Sequence, residues 1–230
     1  MSQRTVILDA IQPRALPHFV ADSLRRAILE GVFAPGERLV ERQIAEQFQI
    51  SKTPVREALL ELKRRGLVTS RTHHGTEVRE VDAEMVRDIY QVRMALEPEA
   101  IRYAVPGHDK TSVAALRATL ARAADASRRG DLVELIFVNR ELHALLLEPC
   151  PNQMLKEMIE ELSDQVALIA VAGWRTRPSW ATEGEQHTRI VEKVERGDAD
   201  GAAALLRVHI EQSLLRAAAL ADGDVDGDAG

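Results

Sequence analysis

From Asp82 to Ala221 apolar residues recur at helical spacing, and no run there reads as a strand. Six helices are predicted, over 82–104, 110–128, 131–148, 152–172, 182–196 and 198–221. The breaks between them fall at Pro106-Gly107, Arg129-Gly130, Pro149-Cys150-Pro151, the stretch from Gly173 to Pro178, and Gly197. Loops this short between helices this long imply antiparallel neighbours, so residues 81–221 are expected to form an all-α antiparallel helical bundle. The acidic, Gly-rich residues 222–230 are too polar to pack and are expected to be disordered.

The front of the chain reads differently. Residues 1–17 are expected to be a flexible arm. Residues 18–30 place Val20, Leu24, Ala27 and Ile28 on one helical face, and Gly31 ends that helix. The segment VFAPGERL carries Pro-Gly turn chemistry, so the chain reverses there. A short helix follows over 41–48, with Ile44, Ala45 and Phe48 as its apolar face. Gln49-Ile50 make the turn, Ser51 is the N-cap of a third helix through about Arg65, and Pro54 sits in its tolerant first turn. LVTSR, THHG and TEVREV then give two short alternating runs around a turn, the pattern of a hairpin. Two helices, a tight turn and a hairpin outline a winged helix-turn-helix over 18–80. The expected fold is therefore mainly α, this domain being followed by the bundle.

Composition narrows the chemistry. Two Trp, two Tyr and four Phe are too few for base stacking to be the main activity. The lone Cys150 excludes an internal disulfide framework and a cysteine-built zinc finger. No apolar run reaches eighteen residues and the first residues lack an apolar signal core, so no membrane partner is expected and the location is expected to be cytoplasmic. Residues 1–80 carry 13 Lys and Arg against 10 Asp and Glu, a balance of +3, whereas the remainder stands at −9. A mildly basic front with an acidic back suggests two jobs, one candidate being a polyanion held by the front.

The second helix of such a motif enters the major groove with its N-terminus toward the bases. Here that end is Ser51-Lys52-Thr53-Pro54-Val55-Arg56, offering hydroxyls, a cation, a guanidinium fork and free backbone N–H groups at the positive end of the helix dipole. The same residues also read as a solvated helix face with Ser51 merely a cap. The run PGERLVERQIAEQFQISKTPVREALLELKRRGLV, with its short HHG wing, closely resembles the N-terminal domain of GntR-type bacterial transcription regulators across about residues 20–80. That resemblance implies DNA contacts by Arg42, Lys52, Thr53 and Arg56, with His74 and Gly75 of the wing reaching the minor groove. Lys52 stands where the family more often has Arg, and an ammonium lacks the fork for bidentate guanine readout.

In the bundle, Asn139 and His143 lie at i and i+4 on one helical face, with His187 two helices on and His209 on the last. Three imidazoles and an amide oxygen pointing inward would make a divalent-metal site, for zinc, nickel or manganese, with positions left open. Three unrelated core histidines would give the same spacing. Region 82–221 resembles the ligand-binding domain of the FadR subgroup, the FCD type. The resemblance implies that His143, His187 and His209 hold a divalent metal, and Asn139 stands where the family usually has Asp. Arg93 matches the start of that domain's Arg-x-x-x-Glu signature, and Glu97 follows one turn on. Arg93 is then either a clamp for a carboxylate effector or half of an i,i+4 pair with Glu97 that holds the helix.

These readings converge on a ligand-responsive, homodimeric regulator that binds a double-stranded DNA operator and senses a small carboxylate, most often as a repressor in that family. A metal-dependent hydrolase built on the three His is the alternative. Against it, no His-Glu-x-x-His run or nucleophile motif appears, and Glu141 is off the His143 face. A third reading is an architectural DNA binder with a purely structural metal.

Overall fold

The computed structural model describes residues 15–71, 75–176 and 179–221, and the chain divides into two compact units, residues 1–79 and 80–230. In the first unit α1 (Ala15–Leu29) begins three residues earlier than the periodicity suggests, with Pro17 inside its first turn, where a missing N–H costs little. The chain continues through β1 (Arg38–Leu39), α2 (Glu41–Phe48), α3 (Lys52–Arg64), β2 (Val68–Arg71) and β3 (Gly75–Val78). Val20, Leu24 and Ile28 of α1 are buried with Ile44 of α2 and Val55, Ala58 and Leu62 of α3. The turn between α2 and α3 is tight because Gln49 adopts a left-handed conformation (φ 55°), closing α2 with its own N–H.

Two details depart from the sequence reading. Ser51 occupies the N-cap position of α3 with extended backbone, but its side chain makes no capping hydrogen bond. The segment read only as a turn also contributes β1, whose Arg38 and Leu39 pair antiparallel with Glu77 and Thr76 to make a three-stranded sheet in the order β1-β3-β2. Two residues are too few for alternation to be recognised, yet Leu39 is buried on the inner side. The hairpin pairs Val68 with Val78 and Arg71 with Gly75. Its connecting residues, His74 included, lie outside the described residues, as do residues 1–14 and 222–230.

The second unit consists of α4 (Ala83–Ala104), a single 3-10 turn at Val105–Gly107, α5 (Lys110–Arg129), α6 (Leu132–Leu147), α7 (Gln153–Thr176), α8 (Trp180–Glu195) and α9 (Ala199–Ala221). Local chemistry sets the ends. Asp82 accepts from the Met85 N–H at 2.7 Å, Asp109 and Ser112 form a capping box, and Gly130 closes α5 at φ 65°. α7 runs through Gly173, where a break was expected. A single helical glycine costs about 1 kcal/mol, and the next residue, Trp174, is buried. α4 packs along α9 and also touches α6 and α7, so its inward side chains reach the middle of the bundle. Among the described residues no helix is long and apolar enough to cross a membrane.

Candidate functional site

Three histidines from three helices meet in the second unit. The rings of His143 (α6), His187 (α8) and His209 (α9) lie 4.4–5.4 Å apart between centroids, and their nearest ring nitrogens are all within 4.8 Å of one another. His187 Nε2 is 3.2 Å from His209 Nε2. The His143 Nε2 is buried and has no hydrogen-bond partner. A buried polar atom without a partner costs about 1–3 kcal/mol, so this nitrogen needs an explanation.

The surroundings orient the rings. His143 Nδ1 faces a Glu97 carboxylate oxygen at 3.3 Å, and His209 Nδ1 faces the Gln186 amide oxygen at 2.8 Å. Both oxygens accept, which assigns the protons to Nδ1 and leaves the Nε2 lone pairs for the common centre. Carboxylate or amide behind imidazole is the usual support of a metal-ligating histidine. Burial, followed by nearby charges such as the His143 imidazole, holds His187 well below the ordinary histidine range. Burial and then the neighbouring His187 do the same for His209. These two rings are thus neutral at physiological pH, the form that binds a metal.

Arg93 of α4 lies beside this cluster, 3% exposed. Its expected i,i+4 pair with Glu97 is formed. Its Nε donates to Glu97 at 2.5 Å and its Nη2 to the other Glu97 oxygen at 3.3 Å, while the side chain also lines the cavities at the histidines. Burial alone would raise the Glu97 carboxyl; Arg93 and His143 outweigh it and hold the group at about 2. Arg93 also sits over the Tyr90 ring, 5.0 Å from its centroid.

Three cavities border the cluster among the described residues. One, of about 350 Å³, is lined by Asn139, His187 and Glu183. Of the two that Arg93 lines, one of about 560 Å³ lies among α4, α6 and α7, and the other, of about 470 Å³, is bounded chiefly by α4, α7 and α9. Both are lined by Arg93, Asn139 and His143, and either suits a small organic molecule. Asn139 therefore shares the cavities with the histidines, as its i,i+4 spacing from His143 suggests. Glu141 turns away and pairs with Arg122 at 2.8 Å.

Several residues escaped the sequence reading. In the sequence Glu97 stands out only as a partner of Arg93, and Gln186, Tyr90, Trp174, Glu183, Ser213 and Arg216 do not stand out. Spacing could have found some of them. Ser213 and Arg216 follow His209 at i+4 and i+7, and Glu183 precedes His187 at i−4, the spacing of Asn139 to His143.

In the first unit Ser51, Lys52, Thr53 and Arg56 are exposed at the start of α3. Arg56 donates to Glu41 at 2.7 Å and Arg42 to Glu46 at 3.0 Å; both arginine side chains are 65% exposed. Gly75 has φ 82°, and a Cβ there would lie 3.3 Å from the Arg38 guanidinium.

Comparison with known proteins defines the class. Residues 16–78 match the family of bacterial regulatory proteins of the gntR type, and residues 88–212 match the FCD domain. The chain belongs to the GntR family of transcriptional regulators and carries an FCD ligand-binding domain. It is 29% identical over 208 residues to the regulator McbR of Escherichia coli, covering 90% of this chain and 83% of that one. Identity is also 29%, over 223 residues, to a probable D-xylose utilization operon repressor of Paenarthrobacter nicotinovorans, covering 95% of this chain and 97% of the relative. The solved structure of E. coli McbR superposes with a TM-score of 0.77 at 26% identity, covering 87% of this chain and 95% of that one.

Proposed function

We propose that this regulator senses a small carboxylate at a divalent-metal site formed by His143, His187 and His209, with Asn139 beside them and Arg93 as the anion's partner. The observation that carries the reading is the unpartnered, buried Nε2 of His143, facing two further neutral imidazoles. The donor set fits a divalent transition-metal ion such as zinc, nickel or manganese, in which three nitrogens leave positions open. When bound, the ion supplies Lewis acidity and positive charge for an anionic ligand. The protein's part is to orient: Glu97 and Gln186 hold the rings, and Arg93 offers the charge and donors that a carboxylate takes.

The front domain of a homodimer would place two copies of α3 in successive major grooves, with Arg42, Ser51, Lys52, Thr53 and Arg56 at the DNA. His74 and Gly75 of the wing would approach the minor groove. Ligand in the bundle then alters operator affinity by its different affinity for the DNA-bound and free states. Equilibrium dialysis with zinc, nickel and manganese, on wild type and His143→Ala, tests the metal. Stoichiometric binding by wild type and loss of at least about tenfold in affinity in the variant are expected. Absence of binding at saturating metal would reduce the cluster to core histidines.

A further inference from the structure

The two cavities that Arg93 and His143 line differ in charge. The larger is lined by five carboxylates against three basic side chains, Arg93, Arg140 and Lys156. The smaller is lined by Arg93 and Arg216 and, among the described residues, by one acid, Glu183. An anion therefore favours the smaller cavity.

Glu183 stands between this cavity and the one of about 350 Å³, lining both; it is 8% exposed and its contacts are lopsided. Trp174 Nε1 donates to Oε1 at 3.1 Å, the Ser179 hydroxyl donates to the same oxygen at 2.5 Å, and an Arg216 nitrogen is 3.5 Å from it. No described residue takes Oε2. An indole N–H is a donor only, so the cluster requires an acceptor at this position. Arg216 also donates to Ser213 at 2.8 Å, so its charge is already shared between two neighbours.

We propose that Glu183 reads a hydroxyl on the effector, making the sensor selective for hydroxy acids over dicarboxylates. The inference rests on the carboxylate-sensing reading above. With the ligand's carboxylate at Arg93 and the histidine centre, its far end meets the open oxygen of Glu183. That oxygen can only accept. A hydroxyl donates to it, whereas a second carboxylate brings like charge against like charge in a buried site.

The test uses full-length protein, with and without saturating zinc, and acids matched in chain length. The pairs are 4-hydroxybutanoate with succinate, 5-hydroxypentanoate with glutarate, and 6-hydroxyhexanoate with adipate. Calorimetry on wild type should show one hydroxy acid binding at least about tenfold more tightly than its diacid. In Glu183→Gln, whose amide oxygen still accepts from Trp174 and Ser179, that preference should fall to within about threefold. Wild type that takes a diacid as tightly as its partner, or an unchanged preference in the variant, overturns the proposal. The wild-type comparison stands even if the variant fails to fold. Binding of neither series by wild type overturns the carboxylate reading itself, and this inference with it.

Discussion

The two units hold arginine–glutamate pairs of the same chemistry in opposite surroundings. In the front unit Arg56–Glu41 and Arg42–Glu46 are in water, with both guanidinium side chains 65% exposed. In the back unit Arg93–Glu97 is 4–5% exposed and shares its carboxylate with His143. An exposed pair is worth about 0–1 kcal/mol, so DNA phosphate can replace the glutamate at little cost. A buried pair cannot exchange so readily, because either charge left alone is penalised by several kcal/mol. The front pairs suit an interface that forms and dissolves; the back pair suits a scaffold that must hold ligands in place.

Breaking the buried pair is the severest test of that contrast. Glu97→Ala leaves Arg93 charged and buried and removes the support of His143, so the back unit should lose about 3–5 kcal/mol. Urea unfolding followed by circular dichroism would measure this. A loss below about 1 kcal/mol would mean that Arg93 escapes to solvent and the two classes of pair are alike.

The front unit should respond in binding and not in folding. Arg56→Ala should weaken operator binding by about 1–3 kcal/mol if the side chain reads a base, with specificity relaxed at that position. If it meets only phosphate, affinity should fall about uniformly across sequences and the salt slope should shrink by about one. Gel-shift titration at two salt concentrations separates the cases. Wild-type affinity in the variant would remove Arg56 from the interface.

How far the sequence reveals this arrangement depends on how local each determinant is. Helix ends were legible because their stops are local: Asp82 and Asp109 cap, and Gly130 closes. β1 was hidden because two residues carry no period, and the overrun of α7 past Gly173 because burial of Trp174 outweighs a weak breaker. Spacing alone leaves the convergence of His143, His187 and His209 open, since three unrelated core histidines would share it; the resemblance to the FCD type implies it, and the structure brings the three rings together. Their supports could not be anticipated. Glu97 reaches His143 across 46 positions of chain, and Glu183 looks like any solvated helical glutamate until the bundle closes over it.

A third substitution adds charge to the buried side. At the proposed metal site Asn139 would contribute a dipole where a carboxylate would bring a full negative charge to a divalent ion. Asn139→Asp should therefore tighten metal binding by about tenfold, as an anionic ligand does for a hard or borderline cation. The same change lowers the formal positive charge of the loaded site and should loosen its hold on an added carboxylate. Calorimetry with metal, then with acid on the loaded protein, reads both. Unchanged metal affinity in the variant would mean that Asn139 is not beside the ion.

The smallest effect belongs to the exposed pairs, and it carries its own sign. Arg56 is held by Glu41, so if Arg56 meets DNA as proposed, that carboxylate must first be displaced. In Glu41→Gln the guanidinium keeps a weaker acceptor and one negative charge leaves the face presented to phosphate. Operator affinity should therefore rise, by less than about 1 kcal/mol, since an exposed pair is worth no more than that. The gain should shrink as salt is raised from 50 to 200 mM (approximate bounds of the usual assay range), because the removed repulsion is itself screened over a Debye length of about 10 Å. Folding stability should change by no more than a few tenths of a kcal/mol. Fluorescence anisotropy with a labelled operator resolves a twofold change. A fall in affinity would show that Glu41 preorganises Arg56 for the groove and does not compete for it.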